Sequence, residues 1–295
     1  MLSLIVGFFS SLLFNSIIRE RENGWRRYCR AYYYKGVAMQ IFDTHAHIGL
    51  LYNDPLAQLR AVQEAKRASV VRILSICNSL HDFYSVYETL KTDQAVYHAI
   101  GVSPSEVMSP GKDWANQIEK GLQLPGVIAV GETGLDYYKK YGDQRSQIEL
   151  FITQLDIASK AKKPVVIHNR EAGKDLLNIL SERLSESGGI LHCYSEDAAF
   201  ARAALKLPLY FSFAGNFTYR NARNLHETVR ILPLDRILVE SESPFMPPAP
   251  YRKERNMPAN TVATVTFMAK FLDMDTETLA AQLWENSCKA FHLPE

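Results

Sequence analysis

Short apolar runs alternate with longer amphipathic stretches from Met39 onward. Eight of these runs have the length and flanking turn residues of buried strands: Gln40–Phe42, Val71–Ile76, Tyr97–Val102, Val127–Val130, Val165–Ile167, Ile190–Leu191, Leu209–Phe213 and Ile237–Val239. Helical periodicity is found between and after them, for example in Pro55–Ala68, Gln147–Ala161, Ala172–Leu184, Ala198–Leu205, Thr261–Leu272 and Thr276–Ala290. This alternation predicts an α/β fold, a TIM (β/α)8 barrel. A doubly wound sheet also fits the alternation, but no GxGxxG motif follows the first predicted strand.

The first 38 residues do not follow this pattern. Residues 2–18 are mostly apolar, and five arginines follow within residues 19–30. The apolar run is at the short limit for a spanning helix, and no positively charged region precedes it as in a secretory signal. We predict an N-terminal extension over residues 1–38, which is a mis-assigned start, a weak anchor or a packed extra helix. The domain itself is predicted over residues 39–295.

Charge and cysteine content narrow the class of protein. The formal net charge is +1, so no global field attracts nucleic acid or an acidic membrane. This balanced charge is still compatible with a local basic patch over residues 252–255. The four cysteines are scattered without a CxxC pair, which favours reduced thiols and excludes a thiolate zinc site. We therefore expect a cytoplasmic protein, with residues 2–18 leaving a membrane-anchored alternative open.

Candidate chemistry lies directly after the predicted strands. Six polar residues occupy these positions, and they are His45, His47, Glu132, His168, His192 and Glu242. In a barrel the carboxyl ends of the strands form one active face. Imidazole nitrogens with carboxylate oxygens suit Zn²⁺, Mn²⁺ or a similar ion. The pattern predicts one or two divalent ions, with Glu132 able to bridge two ions and Glu242 able to ligate or to deprotonate a water.

The segments around these residues carry a family resemblance. They are Phe42–His47, Gly131–Tyr137, Pro164–Arg170, Leu191–Ser195 and Glu240–Pro244. They resemble the TatD family of metal-dependent hydrolases, over about Met39 to Phe291. The resemblance implies a TIM barrel with one or two divalent metals (Zn, Mn or Mg). It also implies hydrolysis of phosphodiester bonds, typically as a 3′–5′ deoxyribonuclease. DNA or another phosphodiester is then the expected partner, and no stable membrane partner is expected.

The resemblance also assigns roles and shows two departures. Matched by position, His45 and His47 would bind the first ion, Glu132 would bridge, and His168 and His192 would complete the ligand set. The family places an aspartate where this chain has Glu242, and histidines that approach the phosphate where it has Ser103 and Ser105. Serine hydroxyls can bond phosphate but carry no charge. Arg170 is expected to contact phosphate or to form a structural ion pair.

Several residues near these positions fit two different roles. Asp136 either orients its loop or contacts substrate, and Tyr137, Tyr138 and Tyr141 either stack on bases or pack. Asp43 is predicted to accept a hydrogen bond from a ligating imidazole, with Glu240 in a similar supporting role.

The sequence thus predicts a metal-dependent hydrolase, a phosphodiesterase or 3′–5′ deoxyribonuclease that uses a metal-activated water. Glu132 and Glu242 are its predicted catalytic residues, and Ser103, Ser105 and Arg170 its predicted substrate contacts. One alternative is a metal-dependent hydrolase of a small-molecule amide or ester, which the absent loop histidines favour. The other is a weakly active metal-binding protein, for which Glu242 is the best support.

Overall fold

Eight parallel strands follow one another around a barrel in the order in which they occur along the chain. The computed structural model describes residues 39–294, and the predicted extension over residues 1–38 lies outside them. The strands are β1 Ile41–Ala46, β2 Val70–Ser75, β3 Val96–Ile100, β4 Val127–Asp136, β5 Val165–Arg170, β6 Gly189–Leu191, β7 Leu209–Phe213 and β8 Ile237–Val239. The predicted TIM barrel is therefore confirmed.

Helices connect the strands and cover the outside of the barrel. They are α1 Ile48–Leu51, α2 Pro55–Arg67, α3 Leu80–Leu90, α4 Trp114–Gly121, α5 Gln144–Ala161, α6 Gly173–Arg183, α7 Ala198–Ala204, α8 Arg223–Ile231, α9 Thr261–Phe271 and α10 Thr276–Ala290. Five of these helices are preceded by a residue whose side chain accepts a hydrogen bond from the backbone amide three residues later. These capping residues are Asp54, Ser79, Asp143, Asp197 and Asp275. Within residues 39–294, no helix has both the length and the apolar character needed to cross a bilayer.

Alternate residues along the strands divide between two apolar clusters. Ile73, for example, packs in a large cluster with helix residues such as Phe83. Its neighbour Leu74 belongs to a smaller cluster together with Phe42 and Phe291. Because successive strand side chains point to opposite sides, the smaller cluster fills the interior of the barrel. The carboxyl ends of the strands remain available for polar residues.

Two strands extend beyond their apolar runs. β4 continues six residues past Val130, and β5 continues three residues past Ile167. The added residues pair with each other, since Gly134 is in register with His168. A side chain at Gly134 would overlap the carbonyl oxygen of His168, so glycine permits this close pairing. The sequence prediction ended β4 too early because residues 131–136 lack apolar alternation.

The barrel closes where the segment after β8 meets β1. The Glu242 amide donates to the His45 carbonyl at 2.9 Å, and the His47 amide donates to the Ser243 carbonyl at 2.9 Å. Below these bonds, the Thr44 hydroxyl donates to the Val239 carbonyl at 3.0 Å. The same hydrogen bonds that close the barrel therefore fix the backbone at His45, His47 and Glu242.

Candidate metal centre

The six residues predicted from the strand ends converge at one point of the barrel. His45 and His47 bring their Nε2 atoms to 3.1 Å from each other, as expected for side chains two residues apart along a strand. The rings of His45 and His192 stack with centroids 3.9 Å apart. The six residues form three overlapping groups of three, and within each group the ligand atoms lie within 4.8 Å of one another.

Glu132 lies between two pairs of histidines. Its Oε2 atom is 3.8 Å from His45 Nε2 and 3.6 Å from His47 Nε2. Its Oε1 atom is 2.8 Å from His168 Nδ1 and 3.2 Å from His192 Nε2. Each oxygen of one carboxylate therefore faces a different histidine pair, which is the arrangement required of a carboxylate that bridges two cations.

Glu242 reaches the same cluster from the segment after β8. Its Oε2 atom is 3.3 Å from His45 Nε2 and 3.7 Å from His192 Nδ1. The backbone at Glu242 has φ of 55°, an uncommon conformation for a residue other than glycine. Hydrogen bonds on both sides support it, because the Glu242 carbonyl accepts from the Phe245 amide at 2.7 Å while its own amide donates to His45. The longer side chain thus still brings its carboxylate to the histidines.

Burial shapes the protonation of these groups. Burial and the neighbouring His192 and His47 hold the pKa of His45 well below its ordinary value. Burial also lowers the pKa of His47, to about 4, so both rings are neutral near pH 7 and keep a lone pair for ligation. Burial, partly opposed by His192 and reinforced by Glu240, raises the pKa of Glu242 to about 8.

The donor set fits a divalent cation. Within the described residues, the buried atoms Glu242 Oε2 and His45 Nδ1 have no hydrogen-bond partner. Buried polar atoms are normally paired, and an ion held by nitrogen and oxygen ligands would pair the carboxylate oxygen here. Burial opposes ionisation of Glu132, but His192 and His168 hold its pKa well below its ordinary value. This carboxylate provides negative charge that a cation would balance, and a cation would also favour the ionised form of Glu242.

Two further carboxylates support the histidines from outside the cluster. Asp136 Oδ2 lies 3.2 Å from His168 Nε2, and Asp136 Oδ1 accepts from the Lys139 amide at 2.7 Å. Burial opposes protonation of His168, but Asp136 and Glu132 together raise its pKa. Glu240 Oε1 lies 3.6 Å from His192 Nδ1 and accepts from the Cys193 amide at 2.8 Å. Asp136 therefore orients its loop, as predicted, and also contacts a histidine, which the sequence did not indicate.

Asp43 has a different partner from the one predicted. Its Oδ1 atom accepts from the Ser241 amide at 2.7 Å and from the His45 amide at 3.3 Å, so it bonds to backbone rather than to an imidazole. Asn256 is a buried residue for which the sequence predicts no role. Its side-chain amide donates to the carbonyls of Ser241 and Phe245 at 2.6 and 2.7 Å, and it thereby fixes the segment that carries Glu242.

The predicted substrate contacts follow β3 or end β5, on the same face of the barrel as this cluster. Ser103 Oγ and Ser105 Oγ are 2.9 Å apart, and Ser103 Oγ also accepts from the Ser105 amide. Within residues 39–294, no hydrogen bond joins either hydroxyl to the six-residue cluster. Arg170 ends β5 as an exposed residue, with its Cζ 3.9 Å from the centre of the Tyr138 ring. The Arg170 guanidinium is therefore held beside an aromatic ring at the mouth of the site.

The three tyrosines after β4 have different surroundings. Tyr137 donates to Asp175 Oδ2 at 2.9 Å and packs against the larger apolar cluster, which agrees with the packing alternative. Tyr138 is 51% exposed, and Tyr141 is half-buried. Tyr138 is thus the tyrosine of this loop whose ring is most open to a ligand.

Comparison with known proteins gives consistent results. The sequence profile described as "TatD related DNase" matches residues 42–292. An uncharacterized metal-dependent hydrolase of Buchnera aphidicola is 34% identical over 259 residues, covering 87% of this chain and 97% of its own length. The human 3′-5′ RNA nuclease TATDN2 is 29% identical and covers 85% of this chain, but the match spans 35% of TATDN2. The crystal structure of YjjV, a TatD homologue of Escherichia coli K12, superposes with a TM-score of 0.81 at 24% identity, covering 88% of this chain and 100% of YjjV.

Proposed function

Because the chain belongs to the TatD-related DNase family of metal-dependent hydrolases, we propose that it is a phosphodiesterase that removes nucleotides from the 3′ end of a nucleic acid strand. The observation that carries this proposal is the position of Glu132, whose two oxygens face two different histidine pairs. A phosphodiester reaction benefits from such a pair of cation positions, since both the attacking and the leaving oxygen need charge stabilisation. DNA is the substrate that the family profile suggests, and the RNA nuclease activity of the human relative makes RNA the natural comparison.

The proposed ligands divide around the bridging carboxylate. His45 and His47 would hold one cation with Glu132 Oε2, and His168 and His192 would hold a second with Glu132 Oε1. Bound Zn²⁺, Mn²⁺ or Mg²⁺ would polarise a phosphoryl oxygen and lower the pKa of the attacking water. The stacked rings of His45 and His192 keep the two halves of the site in contact.

Glu242 is the proposed general base. Its Oε2 atom points into the cluster without a hydrogen-bond partner in the described residues. Burial raises the pKa of Glu242 to about 8, and a cation bound beside it would lower this pKa, so that the ionised oxygen could accept a proton from the attacking water. The backbone that carries this carboxylate is held on both sides. The Glu242 amide donates to the His45 carbonyl, and the Asn256 amide donates to the Phe245 carbonyl. A base on such a fixed backbone has less conformational freedom to lose when the substrate binds.

Arg170 is the proposed phosphate contact. Its guanidinium lies on the rim next to Tyr138, where a planar cation can donate two hydrogen bonds to phosphate oxygens. The Ser103 and Ser105 hydroxyls, which bond to each other, offer neutral donors only. Arg170 therefore provides the charge that the family places at the two serine positions.

The pair Ser103 and Ser105 also supports a second candidate function. A loop that offers hydroxyls in place of cationic groups suits a neutral ester or amide as well as a phosphate. Hydrolysis of a small-molecule ester or amide at the same metal centre is the alternative that this observation favours.

The test is a direct comparison of substrates. A 5′-labelled single-stranded DNA, an RNA of the same sequence and a panel of p-nitrophenyl esters are incubated with full-length protein supplied with Mg²⁺, Mn²⁺ or Zn²⁺. We expect a ladder of products shortened from the 3′ end that disappears in His45→Ala and on addition of a chelator. Ester hydrolysis without any oligonucleotide product, in protein shown to bind metal, would instead establish the alternative.

A further inference from the structure

Exposed apolar side chains are concentrated on one face of the barrel. All large hydrophobic residues that are exposed within residues 39–294 follow carboxyl ends of strands, in the segments after β1, β3, β4 and β8, and they are Leu50, Leu56, Met108, Tyr138, Phe245 and Met246. This is the face that carries the candidate metal centre. A concentration of exposed apolar side chains on one face indicates an interaction site, and two members of this group are aromatic.

Phe245 borders the metal centre on the side of His47. Its ring is 49% exposed, and the centroids of the Phe245 and His47 rings are 6.3 Å apart with an edge-on angle of 72°. The backbone of Phe245 is fixed, since its amide donates to Glu242 and its carbonyl accepts from Asn256. The ring is therefore positioned firmly while half of its surface stays open.

Tyr138 lies in the segment after β4, next to the carboxylate that contacts His168. It follows Asp136 by two residues, and Asp136 contacts His168 at 3.2 Å. One side of the Tyr138 ring is covered by the guanidinium of Arg170 at 3.9 Å, yet the residue is 51% exposed. Phe245 thus lies against one histidine of the cluster, and Tyr138 follows the carboxylate that contacts another, while Glu132 contacts both of these histidines.

Positive charge lies against the Tyr138 ring and, next to the Asn256 that bonds to Phe245, at Arg255. Arg170 stacks on Tyr138, and on the side of Phe245 the exposed Arg255 donates to the Leu50 carbonyl and lies 5.7 Å from the Tyr52 ring. An unpaired nucleic acid strand alternates flat bases with anionic phosphates, and it is bound by stacking rings set beside cations. A purely apolar protein partner would not require these two arginines.

We infer that Phe245 and Tyr138 are stacking positions for the two bases on either side of the scissile phosphodiester. The inference rests on the proposed function and makes it more specific. The enzyme then recognises a base at each of the two 3′-terminal nucleotides, and it discriminates against a strand that lacks either base. Stacking is tolerant of base identity, because every base has a flat face, so no sequence preference is expected from these two positions.

The test measures the coupling between each ring and each base. Full-length, metal-loaded protein is titrated into a 5′-fluorescein-labelled single strand whose last two linkages are hydrolysis-resistant phosphorothioates, and binding is read by anisotropy. Two further strands carry an abasic residue at the last or at the penultimate position. The variants are Phe245→Ala and Tyr138→Ala, with Phe245→Tyr and Tyr138→Phe as conservative rescues and Met108→Ala as an exposed apolar control on the same face.

Each alanine variant should bind the intact strand at least about tenfold more weakly than wild type. Each should lose this difference on one of the two abasic strands, a different one for each ring, while Met108→Ala binds all strands like wild type. Equal weakening on intact and abasic strands would overturn the inference, as would wild-type protein that binds none of the strands. Hydrolysis of unmodified DNA and RNA is measured separately, so a failure of the proposed nuclease function is recognised independently of the binding result.

Discussion

Asp136 Oδ2 lies 3.2 Å from His168 Nε2, while the opposite ring nitrogen of His168 faces Glu132 Oε1 at 2.8 Å. The imidazole is therefore held between two carboxylates. Such an outer carboxylate fixes the tautomer and the orientation of a ligating histidine and makes it a better electron donor. In this chain it leaves Nδ1 of His168 directed into the cluster.

Removing the outer carboxylate should weaken metal binding. Asp136→Ala is expected to lower the metal affinity by roughly 10- to 100-fold, with Asp136→Asn in between because its amide oxygen can still accept from the ring. Competition with a chromophoric chelator measures the change. Asp175→Asn is the matched control, since Asp175 bonds to the Tyr137 hydroxyl. Affinity in Asp136→Ala equal to that of wild type would contradict the role of Asp136.

Substitutions of Glu132 and of Glu242 should differ in their effect on the metal content of the protein. Glu132→Gln is expected to lose most of the bound metal, because its two oxygens face both histidine pairs. Glu242→Gln should retain more metal but lose at least about 100-fold in kcat, as expected for loss of a general base. Elemental analysis of dialysed protein and single-turnover hydrolysis separate the two effects. Glu132→Gln with the metal content of wild type would argue against a bridging role.

The close pairing of β4 with β5 predicts a large effect at Gly134. Gly134 has φ of 136°, and a methyl group there would overlap the His168 carbonyl. Gly111 has φ of 95° with no atom within 4 Å of the same position. Gly111→Ala should therefore lower the free energy of unfolding by about 1 kcal/mol from backbone strain, and Gly134→Ala by more than about 3 kcal/mol. Urea unfolding measures both, and similar losses would mean that the strands move apart readily.

His98 should make the protein less stable at acidic pH. It is buried on β3 against Phe83 and Tyr87, and burial lowers its pKa from 6.5 to about 4. Between these values the unfolded chain binds more protons than the folded one, so the free energy of unfolding falls as the pH decreases from about 6.5 towards 4. The loss from this residue amounts to roughly 2–4 kcal/mol.

A His98→Leu variant isolates this contribution. The difference in free energy of unfolding between wild type and the variant is measured at several pH values from 7.5 to about 4, which cancels the effect of groups common to both. We expect wild type to lose stability relative to the variant as the pH decreases. A difference that stays constant with pH would show that His98 does not titrate as its burial predicts.

The apolar pattern was sufficient to predict the barrel and the position of the candidate metal centre. Each buried strand is visible in the sequence as a short apolar run. Because the parallel strands all end at one face of the barrel, the residues directly after them lie close together. His45, His47 and His192 could be placed for this reason, although they are far apart along the chain.

Relationships between neighbouring segments were not predictable in the same way. The contact between Asp136 and His168 depends on the extended pairing of β4 with β5, which the polar residues after Val130 do not indicate. Asp43 was matched to the wrong partner because its nearest donor, the Ser241 amide, comes from the segment after β8. Asn256 lies in an Arg255-Asn256 pair that resembles the family, but no role was predicted for it, since a single asparagine in a loop is ordinarily a turn residue.

The closing bonds between β1 and the segment after β8 also bear on the biosynthesis of the protein. His45 is among the first residues of the barrel to leave the ribosome, and its partner Glu242 is synthesised nearly two hundred residues later. A nascent chain therefore carries the proposed histidine ligands without the carboxylate that completes the group. Under the proposed function, the full ligand group forms only once Glu242 has been synthesised. A prematurely terminated chain that lacks residues 237–243 is left with an open strand edge in place of the closed barrel.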